Sequence, residues 1–244
     1  MRPRRIIVNA DDFGMNAETN QAIVDAFASG AISSTTLMVN MPGFEQACEL
    51  SRSHKLAGKI GVHLNLTEGR PLTENMKRLS RFCDDRGLFR PRRTIFFLSR
   101  EEMVAVEEEF AAQVQACIDQ GVHPTHLDSH QHIHTEWPIG AAVIHVARQY
   151  GIGAVRLSRN CGPGIDWVHK LYKLAYNTRL RLYGLAKTQY FGSLTDVPAV
   201  LAMTQGDVEI MVHLAGGLDE HAPDSNGGYG IESRAIQGQL TSYA

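Results

Sequence analysis

Four histidines lie close together in the middle of the chain. His126, His130, His132 and His134 fall within nine positions, and Asp128 lies between the first two. In an extended strand alternate side chains point to the same face, so His126, Asp128 and His130 would share one face. Imidazole and carboxylate are ligands that suit Zn, Mn, Fe or Ni, and carboxylate also suits Mg. The run therefore indicates a metal site, with a polar strand end carrying scattered surface histidines as the simpler alternative.

Two adjacent carboxylates follow the first apolar run of the chain. Residues 5–10 contain Ile-Ile-Val and predict a buried parallel strand. Asp11 and Asp12 come directly after it. Carboxylates at the end of a buried strand are unfavourable unless a cation or a proton neutralises them. The pair is a second candidate for metal binding or proton transfer, and a capped turn is the alternative.

Two more histidines fall near the ends of predicted strands. His63 lies in the strand predicted over residues 59–66, and its side chain would share one face with the polar Asn65 and Thr67. A lone histidine in an apolar strand is more often a core residue, but a position on this polar face favours a metal ligand. His213 lies near the end of the strand predicted over residues 208–214.

Strands and helices alternate along the chain, which predicts an α/β fold. Polar residues of ligand type follow four of the strands, as in a βα barrel whose site is built from the carboxyl ends of its strands. An open doubly wound sheet also fits locally, but no glycine-rich nucleotide motif follows the first strand. Arg156 lies in a predicted strand over residues 153–157, where it could point toward the site. Further strands are predicted over residues 33–40 and 189–191, and helices over residues 17–29, 44–53, 99–120, 138–150 and 166–184.

Residues 68–100 lose regular periodicity, which predicts a functional loop or a substrate wall. Helix 166–184 is basic and amphipathic, which favours a helix packed on the sheet with a solvated face over a membrane-surface helix.

Composition predicts one domain over residues 1–244. The net charge of −2 argues against a general nucleic-acid binder. Four well-separated cysteines predict reduced thiols, and no apolar run approaches membrane-spanning length. We therefore expect a soluble, cytoplasmic protein with no stable membrane insertion. A homodimer is the base-rate expectation for its assembly.

These motifs together resemble those of the YdjC-like carbohydrate deacetylases, the ChbG/HpnK family. The likeness covers roughly residues 5–215. It is carried by Asn9-Ala10-Asp11-Asp12-Phe13-Gly14, Ser34-Thr35-Thr36 with Asn40, Gly61-Val62-His63-Leu64, the run from Pro124 to His134, and Glu209-Ile210-Met211-Val212-His213.

The resemblance implies a distorted TIM-like (β/α) barrel and a metal-dependent hydrolase. The substrate would be an N-acetylated amino sugar or short oligosaccharide, which loses its acetyl group. Carried over by motif, Asp12, His63 and His130 would hold one divalent ion, Mg²⁺ or Zn²⁺. Asp11 would be the general base and His213 the general acid. The remaining polar residues of the histidine run would orient ligands or contact substrate: His126, Asp128, His132 and His134.

The sequence departs from the family pattern after the last motif, where Leu214-Ala215 follows His213 in place of the family's common proline. Two alternatives stay open. A metal-dependent phosphoesterase would favour His-x-His on the first strand, where this chain has Asp11 and Asp12. In a non-catalytic metal- or sugar-binding barrel, Asp11→Asn would leave metal and ligand binding intact and change no reaction rate.

Overall fold

The computed structural model describes residues 5–92, 94–162, 164–198, 205–214 and 240–243. The strands are β1 (Ile6–Phe13), β2 (Ser34–Leu37), β3 (Ile60–Leu64), β4 (Leu127–Ser129), β5 (Tyr190–Ser193) and β6 (Val208–Val212). The α-helices are α1 (Ala17–Ala28), α2 (Phe44–Ser53), α3 (Glu74–Lys77), α4 (Arg100–Asp119), α5 (Trp137–Gln149) and α6 (Trp167–Leu182). Two 3₁₀ turns cover His130–Thr135 and Leu194–Asp196.

The six strands form one parallel sheet in the order β4-β3-β2-β1-β6-β5. Residues 155–160 contact both of its edges. Val155 forms a bridge to Leu127 of β4, and the Arg156 N–H donates to the Leu127 carbonyl over 2.9 Å. The Asn160 N–H donates to the Phe191 carbonyl of β5 over 3.1 Å. The sheet is thus curled into a half-barrel, and the expected α/β, distorted TIM-like fold is confirmed.

Local capping signals set the helix boundaries. The Asn16 side chain accepts from the Thr19 N–H at the start of α1. Ser99 and Glu102 form a capping box at the start of α4, with each side chain bonded to the other residue's backbone N–H. Such caps contribute about 1 kcal/mol each. Because these signals are local, the predicted helices agree with the observed ones to within one or two residues.

Four elements differ from the prediction. β2 ends at Leu37, three residues before the predicted end at residue 40. β1 ends three residues later than the predicted strand over residues 5–10 and includes both aspartates. All eight of its residues are buried. Residues 153–157 form no ladder strand, since Val155 makes only an isolated bridge. The loop over residues 68–100 contains the short helix α3. A weak helix, which the sequence also predicts near the end of the chain, lies outside the described residues.

The core lies between the sheet and the helices that cover it. One face of α4 is part of it, because Val106, Phe110 and Val114 are fully buried. Burial of each such side chain contributes about 1.5–3 kcal/mol. Within the described ranges, none of the helices has the length and apolar character that crossing a membrane requires.

Candidate metal and active site

A bulge in β1 brings two adjacent carboxylates to the same side of the sheet. The pairing of β1 with β2 gains one residue between Ala10 and Phe13. Within this bulge Asp12 has a φ of 69°, a conformation that is costly for any residue with a side chain. On a regular strand Asp11 and Asp12 would point to opposite faces. Here both reach the interior of the half-barrel.

Asp12, His63 and His130 form a compact group of metal-ligand type. Asp12 Oδ1 lies 3.2 Å from His63 Nε2 and 3.0 Å from His130 Nδ1. One donor atom from each residue lies within 4.8 Å of the other two. His63 Nε2 is buried and makes no hydrogen bond to the part of the chain that the structure describes. A buried imidazole nitrogen that has no hydrogen bond and faces a carboxylate is suitably placed to bind a divalent cation.

A carboxylate lies behind each of the two imidazoles. His63 Nδ1 donates to Asp128 Oδ1 over 2.7 Å, and these two residues are register partners across β3 and β4. His130 Nε2 lies 3.1 Å from Glu68 Oε2 at the start of the long loop. Carboxylates in this position fix the ring orientation of a ligating histidine and make it a better ligand. Each imidazole therefore presents its other nitrogen to Asp12.

Negative charge dominates the electrostatics of this group. Burial alone would lower the pKa of His63, but Asp128 and Asp12 outweigh it and raise the pKa to about 10. Burial also opposes the charged form of His130, yet Asp12 and Glu68 raise its pKa to about 9. Burial alone would raise the pKa of Asp12, but both histidines hold it well below its usual range. The site thus attracts positive charge, which a metal cation would supply equally well.

Arg156 is the fully buried cation beside this group. Its guanidinium donates two hydrogen bonds of 2.7 Å to Asp11, one to each carboxylate oxygen. It also contacts Asp128 Oδ2 at 2.7 Å and Glu209 Oε1 at 2.6 Å. Burial alone would raise the pKa of Asp11, but Arg156 reverses this and holds it below its usual range. Three carboxylates thus contact one guanidinium, so this ion-pair network carries a surplus of negative charge.

His213 lies at the outer side of the site. It follows β6 directly, and its Nε2 is 3.8 Å from Asp12 Oδ2. About a third of its side chain is exposed, at 35%. The residue predicted as the acid is therefore close to the proposed ligands and accessible from solvent.

The other histidines of the central run contact different partners. His126 is buried, and its Nε2 lies 3.2 Å from Asn9 Oδ1. His134 is buried with Nδ1 at 2.6 Å from Ser129 Oγ. The His132 ring lies edge-on to Phe191, and burial lowers its pKa to about 3. None of these three belongs to the ligand group found among the described residues.

Several functional neighbours were not predicted from the sequence. The Thr36 hydroxyl donates to Asp128 Oδ2 over 3.0 Å, and its motif gave the only hint. Glu209 is a single acidic residue inside the apolar strand β6, a buried-charge signal that could have identified it. Glu68 and Tyr243 lie in segments without periodicity, so no sequence pattern marks them.

The fold and the site define a class of protein: a curled (β/α) barrel with an Asp-His-His group at the carboxyl ends of its strands. Residues 5–236 match the family model described as YdjC-like protein. The chain belongs to the YdjC-like family, as the motifs implied.

Proteins similar to this chain include curated members of known name. One, from Halalkalibacterium halodurans, is named carbohydrate deacetylase and is 35% identical over 216 residues, which cover 86% of this chain and 85% of the relative. Another, from Clostridium beijerinckii, has the same name and is 36% identical over 151 residues. That match covers 61% of this chain and 58% of the relative, less than two thirds of its length.

A solved structure from Enterococcus faecalis V583, provisionally described as a cellobiose-phosphate cleavage protein, has a similar fold. It superposes with a TM-score of 0.72 at 24% sequence identity. The superposition covers 98% of this chain and 97% of the Enterococcus chain. At this identity the likeness supports the fold alone.

Proposed function

We propose that this protein is a metal-dependent carbohydrate deacetylase that removes the acetyl group from an N-acetylated amino sugar or short oligosaccharide. The observation that carries the proposal is the group of Asp12, His63 and His130 beside a separate carboxylate, that of Asp11. Both oxygens of Asp11 accept hydrogen bonds from Arg156. The relatives named carbohydrate deacetylase support a hydrolase that acts on a linear amide of a sugar.

One divalent ion, Mg²⁺ or Zn²⁺, would be held by Asp12, His63 and His130. When bound, it would polarise the acetyl carbonyl and make a nearby water more acidic. The donor set of two imidazoles and one carboxylate suits Zn²⁺, while Mg²⁺ would need further oxygen ligands.

Asp11 would act as the general base. Arg156 keeps its carboxylate ionised. Oδ1 accepts from both Arg156 and Asn9, whereas Oδ2 accepts from Arg156 and retains a second lone pair. Asp11 can therefore still take a proton from the attacking water. The oxygen of that water then forms the new bond to the acetyl carbon.

His213 would act as the general acid. In protonated form it would donate its proton to the amide nitrogen as the C–N bond breaks. The products are acetate and the free amino sugar. Its position near Asp12 and its exposure to solvent support this role, because a proton can return to it between turnovers.

The test is acetate release from N-acetylglucosamine oligomers with and without a chelator. We expect release that the chelator abolishes and that added Zn²⁺ or Mg²⁺ restores. Asp11→Asn should lower kcat by about 10²- to 10⁴-fold and leave metal binding intact, whereas His130→Ala should abolish metal binding. Hydrolysis of phosphate esters but not acetamides would replace the proposal, and metal binding without any hydrolysis would indicate a binding protein.

A further inference from the structure

Tyr243 is connected to the proposed base, Asp11, through two separate chains of contacts. We propose that Tyr243 and Arg156 are positioning residues that hold the Asp11 carboxylate in place for proton transfer. This inference rests on the proposed function, in which Asp11 is the base.

The first chain of contacts runs through charged groups. The Tyr243 hydroxyl donates to the Glu209 carboxylate. The other oxygen of Glu209 accepts from Arg156 Nε over 2.6 Å. Arg156 then donates to both oxygens of Asp11 over 2.7 Å. Glu209, Arg156 and Asp11 are all buried, so these charge-assisted hydrogen bonds are strong and leave the guanidinium little freedom to rotate.

The second chain of contacts runs through the ring of Tyr243. This ring stacks on His126, with centroids 4.0 Å apart and planes 18° from parallel. His126 Nε2 lies 3.2 Å from Asn9 Oδ1 and donates to it. The amide nitrogen of Asn9 donates to Asp11 Oδ1 over 2.9 Å. One side chain therefore supports both groups that hold the base.

Asp11 needs this support because its own backbone does not fix it. It lies in the bulge of β1, next to a residue with a positive φ, where no regular ladder sets the direction of the side chain. Proton transfer depends on atomic placement, and a misplacement of about 1 Å can lower a rate by about 10²-fold. Loss of one of two supporting chains should therefore reduce turnover without removing the base.

The decisive variant is Tyr243→Phe, which removes the hydroxyl and keeps the stacked ring. We expect kcat to fall by about tenfold, with KM and Zn²⁺ affinity unchanged, because Tyr243 contacts no proposed ligand. In an Asp11→Asn background the same change should have no further effect on kcat, since there is no base left to position. Tyr150→Phe is the matched control, because among the described residues the Tyr150 hydroxyl donates to the Ala111 carbonyl alone, between α5 and α4.

Three results would overturn the inference: a Tyr243→Phe enzyme with wild-type kcat, an effect that persists in the Asp11→Asn background, or a change confined to KM or metal affinity. Absence of metal-dependent acetate release from the wild-type protein would instead reject the proposed function. Crystal structures of the wild type and Tyr243→Phe then decide the positioning claim independently. A shift of the Asp11 carboxylate by more than about 0.5 Å supports it, and an unmoved carboxylate refutes it.

Discussion

Asp128 is the residue whose change most directly tests the electrostatic account of the site. It is fully buried, and its two oxygens accept from different groups. Oδ1 accepts from His63 at 2.7 Å, while Oδ2 contacts Arg156 at 2.7 Å and accepts from Thr36 at 3.0 Å. In Asp128→Asn only one oxygen remains, and the other position carries an NH₂ donor. Either His63 or Arg156 must therefore face a donor in place of an acceptor.

The size of the effect follows from these contacts. An unpaired buried donor costs about 1–3 kcal/mol, and removing one partner of a buried ion pair costs about 3–5 kcal/mol. Because asparagine keeps one of the two acceptors, we expect Asp128→Asn to lower the free energy of unfolding by about 2–4 kcal/mol. Loss of the carboxylate behind His63 should also weaken metal binding by about 10- to 100-fold.

Two measurements check this prediction: urea unfolding of the metal-free protein and Zn²⁺ titration against a competing chelator. Asp119→Asn is the matched control, because the Asp119 side chain is exposed at the end of α4 and, within the part of the chain that the structure describes, accepts from Gln115 alone. Zn²⁺ affinity equal to that of the control would refute the role of Asp128 behind His63. A metal-free variant more stable than the wild type would show that repulsion between the carboxylates outweighs the lost hydrogen bonds.

Two further predictions concern stability. In Gly61→Ala the new Cβ would lie 2.6 Å from the His126 ring and carbonyl, so we expect a loss of about 1–3 kcal/mol in urea unfolding, and an unchanged midpoint would contradict this. Burial alone would raise the pKa of Asp196, but hydrogen bonds from Arg159 hold it below the usual 3.8. This carboxylate therefore contributes stability above pH 3.8 that is lost as the pH falls. Asp196→Asn should be less stable than the wild type near neutral pH and lose less stability on acidification, and parallel curves of unfolding free energy against pH would contradict this.

The helices and the general place of the site could be predicted from the sequence because their signals are local. Ser99 and Glu102 define the start of α4 within four residues of chain. His63 is the penultimate residue of β3 and His130 directly follows β4, and parallel strands bring such positions to one edge of a sheet. The structure does bring these two histidines together with Asp12.

The placement of Asp11, Asp12 and Arg156 depends on tertiary contacts that no local sequence pattern encodes. Asp11 and Asp12 share a face only because β1 bulges, and nothing in the run Asn-Ala-Asp-Asp requires that bulge. Arg156 was expected on a regular strand, yet a segment with a single bridge places it. The predicted homodimer, cytoplasmic location and one domain over residues 1–244 stay predictions.

Adjacent aspartates can serve different roles because their surroundings differ, although the sequence presents them as equivalents. Asp12 faces two imidazoles, while both oxygens of Asp11 face a guanidinium. Asp11 also forms a second group of metal-ligand type with His63 and Asp128. Arg156, however, already places a cation against both of those carboxylates, and a metal there would have to displace a fully buried guanidinium. In the proposed function, Arg156 would therefore direct the metal to Asp12 and leave Asp11 available to accept a proton.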